Sequence, residues 1–136
     1  MALTKTIDID GKQVTFRASA ALPRLYRIRY GRDLMRDLTR ISRNVEKAEE
    51  EAKERGEELD KYSQLDILDL AVFEDIAHCM ARHADPKNVP DTAEAWLDEF
   101  NVFSIYQILP VILELWALNT AQTIESKKNF ARVSGK

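Results

Sequence analysis

The sequence predicts an α+β protein, mostly helical, with an N-terminal β-hairpin packed against a bundle of four to five helices. Three observations carry that prediction. Residues 5–18 alternate apolar and polar side chains about an Asp–Gly pair. From Leu22 onward the apolar residues recur at helical spacings of three and four. Hydrophobic residues make up 45% of a 136-residue chain, enough for one core and one domain. That domain is placed at 1–125, with 126–136 as a flexible polar tail and 45–62 as a mobile charged helix or loop.

In "KTIDIDGKQVTFRA" Ile7 and Ile9 alternate with Asp8 and Asp10, and Val14 and Phe16 with Gln13, Thr15 and Arg17. Asp10–Gly11 supplies the residues that a tight turn with positive φ prefers. Ile7, Ile9, Val14 and Phe16 then share a face, and a lone hairpin needs other elements against that face. Pro23 suits the first turn of a helix, and Gly31 its end. Leu22, Leu25, Tyr26 and Arg29 line one side of it. Asp33 starts a second helix with an apolar stripe of Leu34, Met35, Leu38 and Ile41. Arg32, Arg36, Arg40 and Arg43 fall opposite, on the side expected to be solvated. Leu38, Val45, Ala52 and Leu59 repeat every seven residues, but one position per heptad is too few for a stable coiled coil.

Ser63 is the expected cap of the next helix, with Asp66 three residues on. That helix carries Leu65, Leu68, Val72, Ile76, Cys79 and Met80 along one side, widened by Leu70, Phe73 and Ala77. It ends near "ADPKNVPD". Asp91 with Glu94 opens a short helix. Residues 101–120 form the last one, with Phe103, Tyr106, Leu109, Ile112, Leu113 and Trp116 at helical spacing. Pro110 removes one of its backbone bonds.

Net charge is −3, from 20 basic and 23 acidic residues, which argues against a general nucleic-acid or anionic-membrane binder. The single cysteine, Cys79, cannot form an internal disulfide. The N-terminal residues lack the apolar stretch of a signal peptide. The apolar run at 108–118 holds Pro110 and Glu114 and is too short to span a bilayer. A soluble intracellular protein is the expectation.

His78, Cys79 and His83, with Asp85 nearby, are the candidates for a metal or a thiol nucleophile. Ligands on one helix prefer a spacing of four, and the two histidines are five apart. A thiol among apolar neighbours has its pKa raised, which disfavours the thiolate. The four glycines, Gly11, Gly31, Gly56 and Gly135, are too scattered to cradle a phosphate. No catalytic residue, metal ligand or cofactor is therefore assigned.

The segment "ALPRLYRIRYGRDLMRDLTRISR" (21–43) holds seven arginines and two carboxylates. It raises the alternative function, a small DNA-binding regulatory protein using the helices of 23–43. Its exposed face is nearly all arginine, without the Asn, Gln or Ser that read bases beside it. Glu46, Glu49, Glu50, Glu51, Glu54, Glu57 and Glu58 follow at once and would repel phosphate. Acidic protein is the better partner. Phe100, Phe103, Tyr106 and Trp116 are either core or a partner groove.

"FRASAALPRLYRIRYGRDLMRDL", "FEDIAHCMARHAD" and "AEAWLDEFNVFSIYQILPVILELWALN", in that order behind the IDG hairpin, resemble the tail assembly chaperones of long-tailed bacteriophages and prophages of Gram-positive bacteria. The resemblance covers nearly the whole chain and rests on order and spacing; no piece of it is a catalytic fingerprint. It implies a non-enzymatic protein of the bacterial host cytoplasm, absent from the mature virion. It implies binding to the tape measure protein while the tail tube forms. Association with itself, with a longer frameshifted form and with the tail tube protein belongs to the same implication, and no nucleic acid or membrane does. The partner-contact candidates are Arg24, Arg32, Arg36, Tyr106 and Trp116.

Overall fold

The structure is a computed structural model, described over residues 3–56 and 65–118. β1 (Leu3–Ile9) and β2 (Lys12–Ala18) form an antiparallel hairpin with Ile7 opposite Val14. Its two turn residues, Asp10 and Gly11, have φ of 53° and 81°, the pairing of a tight mirror-image turn whose twist matches the strands. Asp8 Oδ1 accepts the Gly11 N–H at 2.9 Å. Ile9, Val14 and Phe16 are buried and Ile7 half-buried, so one face of the hairpin is the core face, as the alternation predicts.

α1 (Leu22–Tyr30) holds Pro23 in its first turn and ends at Gly31, whose φ of 69° few other residues adopt without strain. Asp33 caps α2 (Leu34–Arg55), accepting the Arg36 N–H at 3.0 Å. Residues 45–55 take the helical alternative and form the second half of α2. Leu38, Ile41, Val45, Ala48 and Ala52 continue one buried face at alternating spacings of three and four. Alanine is the best helix former, so the helix persists after the bulky apolar residues thin out. Residues 57–62 and the tail at 126–136 lie outside the described residues.

α3 (Ile67–Ala84) starts later than expected, capped by Asp66, while Ser63 lies outside the described residues. Asp66 accepts the Asp69 N–H at 2.8 Å and Asp69 accepts the Asp66 N–H at 3.2 Å, a reciprocal capping box. Val72, Phe73, Ile76, Ala77 and Met80 are buried, whereas Leu68, on the first turn, is half-exposed. Thr92, rather than Asp91, caps α4 (Ala93–Leu97). α5, helical over 105–118, begins four residues past the expected start, and its helix runs on through Pro110.

α3 is the central element: β2, α1, α2 and α4 all pack on it. α5 brings Ile108, Leu109, Ile112 and Leu115 into the same core. It is tied to the hairpin by a Lys5–Glu114 ion pair at 2.8 Å and by the Gln107 side chain donating to the Asp8 carbonyl.

Candidate functional site

The fate of the arginines decides what surface remains for a partner. Arg32 does not face solvent as part of a helical stripe. It precedes the α2 cap and turns inward, its guanidinium over the rings of Tyr26 and Tyr30. Its Nε donates to Asp37 Oδ2 at 3.2 Å, and its Nη2 to the Tyr26 hydroxyl at 3.1 Å and to Asp75 Oδ2. Tyr26 donates in turn to Asp37 at 2.8 Å. Burial alone would lower the Arg32 pKa, but the bonds to Asp75 and Tyr26 outweigh it and hold the group cationic. Burial raises the Tyr26 pKa, so its hydroxyl stays a donor.

Arg40 also departs from the solvated stripe. Its Nε donates to Asp69 Oδ1 at 2.9 Å, and Asn44 donates to the other carboxylate oxygen at 3.0 Å. Arg29 bonds Asp91 through Oδ1 at 3.1 Å and through its backbone carbonyl. The carboxylates that meet these arginines thus lie within the chain, on α2, α3 and the loop before α4. Among the described residues Arg24, Arg27, Arg36 and Arg43 are exposed and make no ion pair.

A cleft of about 510 Å³ opens between α1, the end of α3 and the loop after it. Leu25 and Ile28 form its α1 wall, Cys79 and Arg82 belong to α3, and Pro86 and Asp91 close the loop side. Ile28 is 68% exposed, unusual for an isoleucine between two arginines of a folded domain. The loop wall is held in place. Arg82 donates to the Val89 carbonyl at 2.9 Å and meets Asp91 Oδ1 at 3.3 Å. Behind it, buried His78 bonds the Pro90 carbonyl through Nε2 at 2.8 Å. A carbonyl only accepts, so Nε2 carries the proton and Nδ1 accepts from the Tyr30 hydroxyl. Burial lowers the His78 pKa, with the Pro90 carbonyl opposing and Arg29 and Arg82 adding to it. The imidazole is therefore a neutral strut joining α1, α3 and the loop.

Cys79 and His83 are the thiol and the imidazole that line this cleft. Burial pushes the Cys79 thiol up to about 11, far from a thiolate. His83 Nε2 pairs with Ser19 Oγ at 2.8 Å, but the serine oxygen also accepts the Ala21 N–H. Among the described residues no carboxylate bonds the other ring nitrogen of His83 to complete a triad. Nor do any three His, Cys, Asp or Glu side chains among them converge on a point that a metal ion could occupy. No helix among the described residues is long and apolar enough to cross a membrane.

Two other clefts are charged, one acidic and one mainly basic with Asp33 at its edge. One of about 810 Å³ between α3 and α4 is lined by Glu74, Asp75, Glu94 and Asp98. Burial first, then Asp75, raises the Glu74 pKa. The other, about 570 Å³, runs along α2 past Arg36, Arg40 and Arg43.

The five predicted contact residues are not gathered into one site. Arg24 is exposed on α1, one turn from Ile28, and does not line the apolar-walled cleft. Arg36 lies on the basic face of α2. Arg32 is committed to internal carboxylates. Tyr106 is 60% exposed at the start of α5, and Trp116 is half-buried against the core. Phe100 and Phe103 pack with Phe73 around Trp96, which is buried and was not singled out from the sequence. Ile28 was also passed over, because it lies off the Leu22–Leu25–Tyr26–Arg29 stripe. Its signal was present in "RIR", an isoleucine on the charged side of a helix.

No protein-family model, curated protein or solved structure matches the chain.

Proposed function

We propose that the chain is a non-enzymatic binding protein that works as a tail assembly chaperone, holding apolar segments of a tape measure protein until tube subunits cover them. The order of its motifs, which resembles that family, is the first support. The observation that carries the reading is the cleft beside Leu25 and Ile28. It is apolar on its α1 wall, where Leu25 and Ile28 are exposed, and the arginines that line it, Arg29 and Arg82, both pair with Asp91. Such a cleft suits a helical segment with apolar anchors. Association with a second copy, with a longer frameshifted form and with the tail tube protein belongs to the same reading, as does a place in the host cytoplasm.

A DNA-binding regulator is the second reading. Against it, Arg29, Arg32 and Arg40 already face carboxylates of the chain, which leaves Arg24, Arg27, Arg36 and Arg43 for phosphate. Co-expression with the neighbouring large phage gene product, followed by pull-down at low and high salt, tests the chaperone reading. A solubilised client that co-purifies supports it. An insoluble client beside a chain that elutes alone, with a retarded DNA band of steep negative salt slope, would favour the regulator.

A further inference from the structure

The loop after α3 carries its own frame. Pro86 and Pro90 fix two of its φ angles. Asp85 accepts the Asn88 N–H at 3.3 Å and the Asn88 side-chain amide at 3.0 Å, and its carbonyl accepts the Val89 N–H at 3.1 Å. Three consecutive carbonyls, those of Val89, Pro90 and Asp91, then accept from Arg82, His78 and Arg29. The first two donors belong to α3, so the loop is fastened to the helix it follows. Arg29 belongs to α1.

Arg29 therefore spans the cleft. Beside Ile28 on the α1 wall, its Nη1 donates to the Asp91 carbonyl and its Nη2 to Asp91 Oδ1 at 3.1 Å. Arg82 meets the same carboxylate oxygen from α3 at 3.3 Å. Among the described residues no other hydrogen bond or ion pair joins α1 directly to this loop. The buried anchors of α1, Leu22 and Tyr26, lie in its first two turns, and Gly31 with its positive φ follows the last. The Arg29 and Asp91 side chains are 33% and 75% exposed, and an ion pair so open to water is weak and reversible. Cys79 lines the cleft and is 4% exposed.

We infer that Arg29 is the positioning residue that sets the width of the cleft, by bracing the α1 wall against the loop wall. Its release lets the last turn of α1 move away from the loop and opens the cleft down to Cys79. The cleft is thus a clamp that admits an apolar segment and closes on it. The inference rests on reading this cleft as the client-binding surface, and it names the residue that controls access to it.

The single cysteine reports the opening. Reaction of Cys79 with a neutral aromatic disulfide, followed in the full chain without client, tests the brace alone; its failure is distinguishable from failure of client capture. Arg29→Ala is expected to react about fivefold faster than wild type, the factor that one exposed ion pair can supply. Arg29→Lys, which keeps the charge but not the fork, falls between, and Arg24→Ala, outside the cleft, reacts as the wild type does. Electrostatics alone predicts the opposite order. Arg29 lowers the Cys79 pKa, so its removal leaves less thiolate and slows the reaction. Acceleration therefore reports access. A local opening exposes little surface, so the faster rate stays flat at low urea. An Arg29→Ala rate at or below that of the wild type overturns the inference. So does an acceleration that climbs with urea as steeply as global unfolding, or an equal acceleration in Arg24→Ala.

Discussion

Replacing Arg32 with alanine removes the one cation shared by Tyr26, Asp37 and Asp75. The side chains of Asp37 and Asp75 are 9% and 22% exposed, and that of Arg32 is 35% exposed. Breaking a fully buried pair costs about 3–5 kcal/mol, because it strands a charge. Here water reaches Asp75, and Asp37 keeps the Tyr26 hydroxyl at 2.8 Å, so the cost falls to roughly 2 kcal/mol. With an m-value of about 1.5 kcal/mol/M, the urea midpoint then drops by about 1.3 M. Arg32→Lys keeps the charge but not the planar fork that serves Asp37 and Asp75 together, so it falls between wild type and alanine. Arg36→Ala, at an exposed position with no ion pair among the described residues, stays within about 0.5 kcal/mol of wild type. If Arg32→Ala and Arg36→Ala differ by less than about 0.5 kcal/mol in matched urea titrations, the internal role of Arg32 is refuted.

Asp69→Ala removes half of the α3 capping box together with the acceptor for Arg40 and Asn44, from a side chain that is nearly fully buried. A loss of about 2–4 kcal/mol in urea unfolding is expected, and a loss below about 0.5 would mean that the cap is not formed. His78 and His83 both have pKa values held below the ordinary 6.5, by burial first and then by nearby arginines. The unfolded chain therefore binds more protons just below that value. The stability they supply is complete above about pH 6.5 and declines as pH falls toward the folded pKa, by at most about 1.4 kcal/mol per pH unit for each group. Urea titrations between about pH 7.5 and 5.5 read that slope, His78→Gln reduces it, and a rise in stability on acidification would contradict it. Ile28→Asp, at an exposed site, should change stability by less than about 0.5 kcal/mol yet abolish co-purification of the client; equal capture by the variant would remove the cleft from the account.

The hairpin was readable from the sequence because everything that specifies it is local: a period of two and an Asp–Gly turn whose φ values are both positive. The buried side of α3 was readable because eighteen residues give a 3.6 period room to show itself. Arg32 was misread for a physical reason. It lies before the Asp33 cap, outside any helix, so an angle on the helical wheel had no meaning for it. Arg40 is within α2, but periodicity locates the side opposite the apolar stripe and is silent on a carboxylate arriving from another element, here Asp69. Ser63 and Asp66 are both good caps by residue type, and the choice falls to Asp66, whose partner Asp69 is also held by α2. Trp96 lies in a helix of five residues, too short for any pattern, although its burial organises Phe100 and Phe103. The cleft needed the fold itself, since Ile28 and Pro86 are far apart in sequence.

The most direct test of the account is hydrogen exchange on the chain alone and in complex with its solubilised client. The account predicts slower exchange over 22–30 and 79–91, the two walls of the cleft beside Ile28. Unchanged exchange there, with protection confined to α4 or α5, would contradict it.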